Sequence, residues 1–185
     1  IFFTKTINTN PRGTIMADKI IIFSGKQYSG KDTAGKILLD TLPDYKRCAM
    51  GDIIKYEYGK RHNLTYEEIE ANKSKYRAGL IELGNWGRSQ SPDYWLDKII
   101  NTDGNIIVTD VRVPHEYEKF KSAGAISIRI EASREVRAQR GELIGENDIT
   151  EVGLDNVTDW DYVITNNSDY NSFKNSVLQV IKNLI

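Results

Sequence analysis

Short runs of β-branched residues alternate along the chain with stretches of helical spacing. Four such runs predict strands, at residues 19–24, 106–110, 125–130 and 161–165. Apolar positions that recur every three or four residues predict helices over 31–42, about 65–71, 76–87, 91–100, 114–122 and from Phe173 to Leu184. Strands that alternate with helices indicate a three-layer α/β domain with a mainly parallel sheet, in which ligands bind at the carboxyl ends of the strands.

Residues that favour helix starts mark three of these boundaries. Thr65 and Glu68 form a capping-box pattern. Ser91 followed by Pro92 favours the cap and the first turn of the next helix, and Pro114 favours the start of another. We therefore expect helices to begin at these three points.

The length of 185 residues suits one domain with a small inserted lid. Residues 133–153 are charged and carry three glycines, so we expect a mobile helix and loop there, forming the lid. Residues 16–185 are expected to form the single domain, because Met16 looks like a natural start. Residues 1–15 are interpreted as a leader or an added segment outside the fold.

Composition excludes several classes of function. A formal net charge of −1 provides no overall attraction to nucleic acid or to an anionic membrane. The longest purely apolar stretch, Ile20 to Phe23, is far too short to cross a bilayer. The single cysteine, Cys48, forbids an internal disulfide and fits a reducing compartment; burial as a small apolar residue is its simpler interpretation. We expect a cytoplasmic monomer or homodimer without nucleic-acid or membrane partners.

Residues 25–33, GKQYSGKDT, carry the spacing of a phosphate-binding loop. Gly25 and Gly30 are separated by four residues, lysine follows, and the loop lies between a predicted strand and a predicted helix. Glycines let main-chain N–H groups point inward, and Lys31 can neutralise phosphate oxygens. The motif therefore predicts binding of a nucleoside triphosphate, with a glycine-rich surface turn as the alternative.

Four further positions in this loop are candidate ligands. Lys26 and Ser29 lie inside it, where contact with phosphate and exposure to solvent are both open. Asp32 stands where such loops usually carry Ser or Thr, so we expect its carboxylate to bind Mg²⁺ directly or through water, or to accept a proton. Thr33, one position later, is expected to reach an α-phosphate.

Asp110 and Arg112 follow the second predicted strand. Asp110 is expected to face the loop and to organise Mg²⁺ or its waters, although buried strands also end in an aspartate that caps a helix. Arg112 is placed to hold a phosphate through two hydrogen bonds, a geometry that lysine cannot reproduce. An ordinary surface ion pair is the alternative for Arg112.

Arginines recur every third residue in the predicted lid, at Arg134, Arg137 and Arg140. On a helix they cover one broad side and can approach a polyphosphate together. Phosphoryl transfer requires stabilisation of negative charge and exclusion of water, and a closing arginine-bearing segment provides both. A solvated charged face is the alternative.

A second pair of arginines flanks the apolar stripe of the middle helices. Arg77 and Arg88 lie close in sequence to Tyr94 and Trp95. These four residues are expected to hold the phosphate and the organic body of an acceptor. Exposed helix arginines over core aromatics are the alternative.

Four segments resemble two related groups of P-loop kinases and occur in the same order, at residues 23–33, 76–95, 108–125 and 153–167. The chain is similar over about residues 19–185 to the deoxynucleoside monophosphate kinases of bacteriophages and to the animal-type phosphomevalonate kinases. The resemblance implies a three-layer P-loop NTPase fold of the nucleoside monophosphate kinase type. It also implies transfer of the γ-phosphoryl group of ATP, with Mg²⁺, onto the phosphate of a small acceptor.

Matched residue by residue, the resemblance implies roles for several side chains. It places Lys31 and the loop amides on ATP, Asp32 near the metal and Arg112 at the transferring phosphate. It places the arginines of residues 134–140 in the lid, with Arg137 and Arg140 as catalytic candidates. The arginines that it places at the acceptor are Arg77 and Arg88.

The two groups differ in their acceptor. Phosphomevalonate kinases tend to carry basic residues at the positions of Gln27 and Tyr28 and an arginine at Val113, and this chain lacks those charges. We therefore expect a deoxynucleoside or nucleoside monophosphate, with phosphomevalonate as the alternative. A GTP-dependent switch is disfavoured, because residues 72–75, Asn-Lys-Ser-Lys, lack the final aspartate of a guanine-reading signature. A noncatalytic nucleotide-binding module remains open.

Overall fold

The computed structural model describes residue 17 and residues 19–184 of the chain. The strands are β1 (Ile20–Ser24), β2 (Tyr45–Arg47), β3 (Asn105–Val108), β4 (Ile126–Glu131) and β5 (Tyr162–Thr165). The helices are α1 (Lys31–Thr41), α2 (Met50–His62), α3 (Tyr66–Ala71), α4 (Lys73–Gln90), α5 (Tyr94–Ile100), α6 (Pro114–Ser122), α7 (Arg134–Arg140), α8 (Ile149–Val152) and α9 (Tyr170–Leu184). The interpretation of residues 1–15 as a leader lies outside the described residues.

The five strands form one sheet in the order β2-β3-β1-β4-β5, and every pair of neighbours is parallel. In register, Ile22 lies beside Val108 of β3 and Ser127 of β4. The predicted α/β fold with a mainly parallel sheet is confirmed. Because all strands run in the same direction, their carboxyl ends lie on one edge of the sheet, where β1 leads into the phosphate-binding loop.

Two apolar layers cover the two faces of the sheet. On one face, Ile22 and Val108 pack with Leu96 of α5 and Phe120 of α6. On the opposite face, side chains of β1 and β4 pack against α1 and α9, including Leu38, Phe173 and Val177. Burial on both faces explains why β1 consists of a continuous apolar run rather than an alternating pattern.

Local capping signals placed two helices correctly. The Thr65 side chain accepts from the Glu68 amide, and the Glu68 carboxylate accepts from the Thr65 amide over 2.7 Å, so α3 has the predicted capping box. Helix α6 begins at Pro114 as predicted. The predicted start of the next helix, with Ser91 as its cap and Pro92 in its first turn, was wrong by about two residues. Helix α5 begins at Tyr94, and the Ser91 hydroxyl accepts from the Asp93 amide.

Two elements lie outside the predicted pattern, β2 and α2. Strand β2 reads Tyr-Lys-Arg at the edge of the sheet and carries no apolar run. Helix α2 buries Lys55 and Gly59 rather than a stripe of large apolar residues. Their formation depends on neighbouring segments, which periodicity along the chain does not reveal. None of the helices in the described part of the chain combines the length and the apolar character that a bilayer span requires.

The predicted lid contains α7, α8 and the loop between them. Two charged side chains of this segment are buried, since Arg137 and Glu151 are each only 5% exposed. Both are buried through contacts with the phosphate-binding loop, described below. The mobility of the segment stays a prediction.

Candidate active site

The phosphate-binding loop, residues 25–33, leads from β1 into the first turn of α1. Gly25 has a φ of 147°, and Gly30, which precedes α1, has a φ of 108°. A Cβ atom at Gly25 would overlap the carbonyl oxygen of Ile130, and one at Gly30 would overlap the side-chain amide of Asn166. Both positions therefore require glycine for its backbone conformation and for its small size.

Lys31 is buried at the end of this loop and is 7% exposed. Its Nζ donates to the main-chain carbonyl of Lys26 over 2.9 Å. Burial, together with the nearby Arg112 guanidinium, lowers the pKa of Lys31 from 10.5 to about 8, against a smaller opposite effect of the Asp32 carboxylate. A phosphate group would give this ammonium group a charged partner, which a neutral carbonyl does not.

A cavity of about 400 Å³ opens over the loop. The predicted site residues that line it are Gly30, Lys31, Asp32, Thr33, Arg112 and Arg140. Three separate parts of the sequence therefore meet at one cavity. Three cations and one carboxylate give it an excess of positive charge, which suits a polyphosphate.

Two buried side-chain oxygens in the described part of the chain have no hydrogen-bond partner, the hydroxyls of Ser29 and Thr109. Ser29 lies inside the loop and is 1% exposed. Thr109 directly follows β3, and its methyl group lies against α1, where Gly35 leaves room for it. Unpaired buried hydroxyls beside an anion-binding loop fit a site that takes up phosphate oxygens, a metal ion or ordered water.

Asp110 follows β3 at the carboxyl edge of the sheet. Burial and, to a smaller extent, the Glu116 carboxylate raise its pKa from 3.8 to about 6, against opposite effects of Arg47 and the main-chain amide of Met50. A raised pKa means that the ionised carboxylate lacks sufficient positive charge around it. The charged groups that act on Asp110 are Glu116, Arg47 and Asp52, and Asp110 is not among the described residues that line the loop cavity. Its role as a metal ligand stays a prediction, while the bond to Met50, at the start of α2, fits the alternative of a helix cap.

Arg112 pairs with Glu151, a residue that the sequence pattern did not indicate. The Nη1 atom of Arg112 lies 3.1 Å from Oε1 of Glu151. The other carboxylate oxygen of Glu151 accepts from the main-chain amide of Gln27, in the phosphate-binding loop, over 2.8 Å. The ion-pair alternative for Arg112 is thus partly right, but the pair lies at the loop and not on an open surface.

The three lid arginines have different surroundings. Arg140 donates to the carbonyl oxygens of Tyr28 and Asn166 over 3.2 and 2.9 Å. Arg137 is buried and donates to the carbonyl of Gln27 over 3.4 Å. Arg134 is exposed and forms a two-pronged pair with Glu146, whose shortest distance is 2.7 Å. Arg137 and Arg140 therefore reach the loop, whereas Arg134 is held inside the lid.

The lid also contacts the loop through uncharged groups. The Gln27 side chain donates to the carbonyl of Ile144, and its Oε1 accepts from the Ile144 amide over 3.2 Å. The ring of Tyr28 lies so close to Gly141 that a Cβ atom there would overlap it. Gln27 and Tyr28, the two loop positions where phosphomevalonate kinases tend to carry basic residues, thus contact the lid in this chain.

Lys26 points away from the 400 Å³ cavity. Its Nζ lies 2.7 Å from Asp155, which also pairs with the buried Arg129 over 3.1 Å. Its side chain is 31% exposed. The structure therefore places the ammonium group of Lys26 at the segment after α8, while its main-chain carbonyl stays beside Lys31.

Arg77 and Arg88 line a second cavity, of about 310 Å³, between α2 and α4. Lys55 and Lys73 also line it, together with apolar residues such as Leu80. Arg88 donates to the side chain of Asn85 over 2.7 Å. The two predicted acceptor arginines are thus brought together by the structure.

Tyr94 and Trp95 lie elsewhere, and the expectation for Trp95 was wrong. Trp95 is 1% exposed, its indole N–H donates to the carbonyl of Gly84 over 3.0 Å, and its ring fills the space beside Gly87. It packs α5 on α4 and leaves no surface for an acceptor. The Tyr94 ring lies edge-on to Trp86, on the side of α4 away from Arg88. Core packing was the alternative stated for this pair.

Two family models match the chain, each over more than half of its length. The model for phosphomevalonate kinase matches residues 23–125, and the model for deoxynucleotide monophosphate kinase matches residues 78–177. The first match includes the phosphate-binding loop, and the second includes the lid. Arg88 and Arg112 lie within both.

Solved structures with the same fold include a gluconokinase and a shikimate kinase. A gluconokinase from Sinorhizobium meliloti 1021 superimposes with a TM-score of 0.53 at 12% identity, over 90% of this chain and 93% of that one. A shikimate kinase from Bacteroides thetaiotaomicron gives a TM-score of 0.50 at 14% identity, over 90% and 98%. At these identities the likeness concerns the fold.

Proposed function

We propose that the acceptor of this kinase is a deoxynucleoside or nucleoside monophosphate. The chain belongs to the P-loop kinases of the phosphomevalonate kinase and deoxynucleotide monophosphate kinase families. The chain is a phosphotransferase, and its families imply the use of ATP. The observation that carries the proposal is the meeting of Lys31, Arg112 and Arg140 at one cavity. The γ-phosphoryl group of ATP would be transferred to the phosphate of the acceptor.

The loop supports the ATP half of the site. Its main-chain amides and the start of α1 attract phosphate oxygens, and the buried Lys31 supplies a positive charge beside them. Asp32 and Thr33 line the same cavity at the first turn of the helix. Ser29, with its unpaired buried hydroxyl, is placed to satisfy a phosphate oxygen or a bound water.

Asp32 and Asp110 are the residues that would hold Mg²⁺, which supplies charge neutralisation to the β- and γ-phosphates when it is bound. Among the described residues, no group of three or more His, Cys, Asp and Glu side chains is arranged as a metal cage. This fits Mg²⁺, which usually takes one or two carboxylates together with phosphate oxygens and water.

The second cavity supports the acceptor half. Arg77 and Arg88 would hold the acceptor phosphate, and the apolar side chains of α2 and α4 would contact its organic body. Trp95 is no part of this site. Its packing against Gly84 and Gly87 fixes α4, the helix that carries both arginines.

The reaction requires positioning and charge more than proton transfer. The acceptor oxygen is already anionic, so no strong general base is needed. Arg112, which lines the loop cavity, would hold the transferring phosphoryl group there, and Arg137 and Arg140 would add positive charge as the lid excludes water. These three guanidinium groups carry the proposed transition-state stabilisation.

A panel of acceptors tests this proposal. Deoxynucleoside monophosphates, ribonucleoside monophosphates and phosphomevalonate are each supplied with Mg·ATP, and ADP and the phosphorylated product are measured. We expect turnover of one or more monophosphates and none of phosphomevalonate. Turnover of phosphomevalonate alone would refute the nucleotide proposal and would leave the kinase assignment intact.

Phosphomevalonate is the second candidate, and one observation favours it. Four cations line the cavity between α2 and α4: Lys55, Lys73, Arg77 and Arg88. An acceptor with both a phosphate and a carboxylate would use more of this charge than a monophosphate. The pairing of Lys55 and Lys73 with Glu70 reduces that excess, and for this reason we rank the nucleotide first.

A further inference from the structure

Glu151 is a buried carboxylate that contacts two residues lining the loop cavity, Gln27 and Arg112. It belongs to α8, and its side chain is only 3% exposed. One oxygen accepts from the Gln27 amide and the other pairs with Arg112, so both oxygens are satisfied by groups from distant segments. A carboxylate is seldom buried unless it is paired and hydrogen-bonded, which indicates that these two contacts hold Glu151 in place.

Arg112 is only partly used by this pair. Of its donors, Nη1 contacts Glu151, and in the described part of the chain no bond is found from Nε or Nη2. The side chain is 37% exposed and lines the loop cavity beside Lys31. A guanidinium group anchored through one nitrogen and open at the others is prepared to bind a phosphate with its free edge.

We propose that Glu151 is a positioning residue, which holds the Arg112 guanidinium at the loop cavity and makes that position depend on docking of the lid. The inference rests on the proposed function in one respect, that Arg112 acts on the transferring phosphate. Glu151 itself does not touch the substrate. It acts on the reaction through Arg112.

The link to the lid is built through Gln27. The main-chain amide of Gln27 binds Glu151, and its side chain binds the main chain of Ile144 at both the amide and the carbonyl. Docking of residues 141–152 on the loop therefore brings Glu151 to Arg112. When the lid leaves, Arg112 loses its anchor, so the arginine is fixed only while water is excluded from the site.

The first experiment separates positioning from a role in stability alone. Glu151→Gln keeps the size and one acceptor but removes the charge that pairs with Arg112, and Glu142→Gln, an exposed lid residue, is the matched control. We expect Glu151→Gln to lower kcat about 10- to 100-fold, with KM for ATP within about 3-fold of the original. In the background of Arg112→Ala the same change is expected to cost less than about 3-fold more, because the group through which it acts is gone.

An equal loss in both backgrounds would overturn the proposal, since Glu151 would then act independently of Arg112. A fall in melting temperature with unchanged kcat, measured well below the unfolding transition, would overturn it as well. The control change, Glu142→Gln, is expected to leave the activity of each background as it is.

The second experiment requires no turnover. The Nε–H resonance of Arg112 is observed by ¹⁵N NMR in the full chain without nucleotide and is assigned through its loss in Arg112→Lys. We expect Glu151→Gln to increase the mobility of this group and Glu142→Gln to leave it unchanged. An Arg112 side chain that stays equally ordered in Glu151→Gln would refute the positioning role. Loosening of Arg112 in a chain that phosphorylates no acceptor would instead support the positioning and refute the proposed function.

Discussion

The ammonium group of Lys31 donates to the carbonyl oxygen of Lys26 over 2.9 Å, across the phosphate-binding loop that contains both residues. The loop thus holds its lysine in the curve where phosphate oxygens would lie. Because the lysine is buried there, its pKa is lowered to about 8, close to the pH of ordinary assays. We therefore expect the ionisation of Lys31 to be coupled to the binding of phosphate.

This coupling predicts proton uptake on nucleotide binding. Above pH 8 part of the free chain carries neutral Lys31, and a bound triphosphate raises the pKa of the lysine by supplying negative charge. At pH 8.5 we expect calorimetric heats of binding of a nonhydrolysable ATP analogue to vary with the ionisation enthalpy of the buffer, and its affinity to fall as the pH rises through 8. Lys31→Arg, which stays charged, is expected to abolish the uptake. Equal uptake in both chains would contradict the assignment to Lys31.

Gly30→Ala is expected to abolish nucleotide binding. The residue needs a φ of 108°, and its new Cβ would overlap the Asn166 side chain, which itself donates to the Ser29 carbonyl over 2.7 Å. Gly104→Ala is the matched control, because Gly104 also has a positive φ, of 82°, but nothing lies within 4 Å of its added Cβ. The control is expected to lose about 1–2 kcal/mol of stability and to bind nucleotide normally. Calorimetry and thermal unfolding measure both effects.

Asp110→Asn is expected to stabilise the chain and to weaken its activity. The raised pKa of Asp110 means that its ionisation costs stability as the pH rises from 3.8 through about 6, since the folded state holds the proton more tightly than the unfolded state. The gain in melting temperature from Asp110→Asn should therefore grow over this range and stay constant above it. Activity should fall at saturating ATP and require more Mg²⁺. A variant that is less stable at pH 7.5 would favour the helix-cap interpretation.

Gln27→Ala is expected to release the lid. The change removes both hydrogen bonds to Ile144 but leaves the main-chain amide that binds Glu151. Hydrogen exchange of residues 141–146 should accelerate, whereas that of β1 should not change, because the strand is buried on both faces. Gln139→Ala, an exposed change in α7, serves as the control and should leave exchange as it is. Unchanged exchange in Gln27→Ala would contradict this role of the Gln27 side chain, because the contacts of Arg137, Arg140, Tyr28 and Glu151 would then suffice to hold the lid.

Arg77→Ala and Arg88→Ala are expected to raise KM for the acceptor about 10-fold or more each, because each removes a charged hydrogen bond to phosphate. KM for ATP should change little. Arg61→Ala is the control, since Arg61 lies 4.3 Å from the Trp86 ring on the other side of α4. Steady-state kinetics with the acceptor found by the panel provide the measurement. A rise in KM for ATP instead would place these arginines at the ATP half of the site and would contradict their role in binding the acceptor.

Much of the fold and half of the site were readable from local patterns. The loop, α1, the capping box of α3, the start of α6 and the inner strands follow from short-range spacing, because backbone conformation at glycines, caps and buried strands is set by neighbouring residues. The edge strand β2 and helix α2 were missed for the opposite reason. Their residues are polar, and they are ordered by segments distant in sequence.

The residues of the chain by themselves determined that a triphosphate-binding loop lies between a strand and a helix, since this depends on two glycines and one lysine within nine positions. Only the tertiary structure decided which other groups reach that loop. In the folded chain, Arg140 and the unpredicted Glu151 contact the loop. The Lys26 side chain pairs with Asp155, and Trp95 is buried against α4. Partners of charged side chains far apart in sequence depend on how helices and strands pack, and no periodicity along the chain encodes that packing.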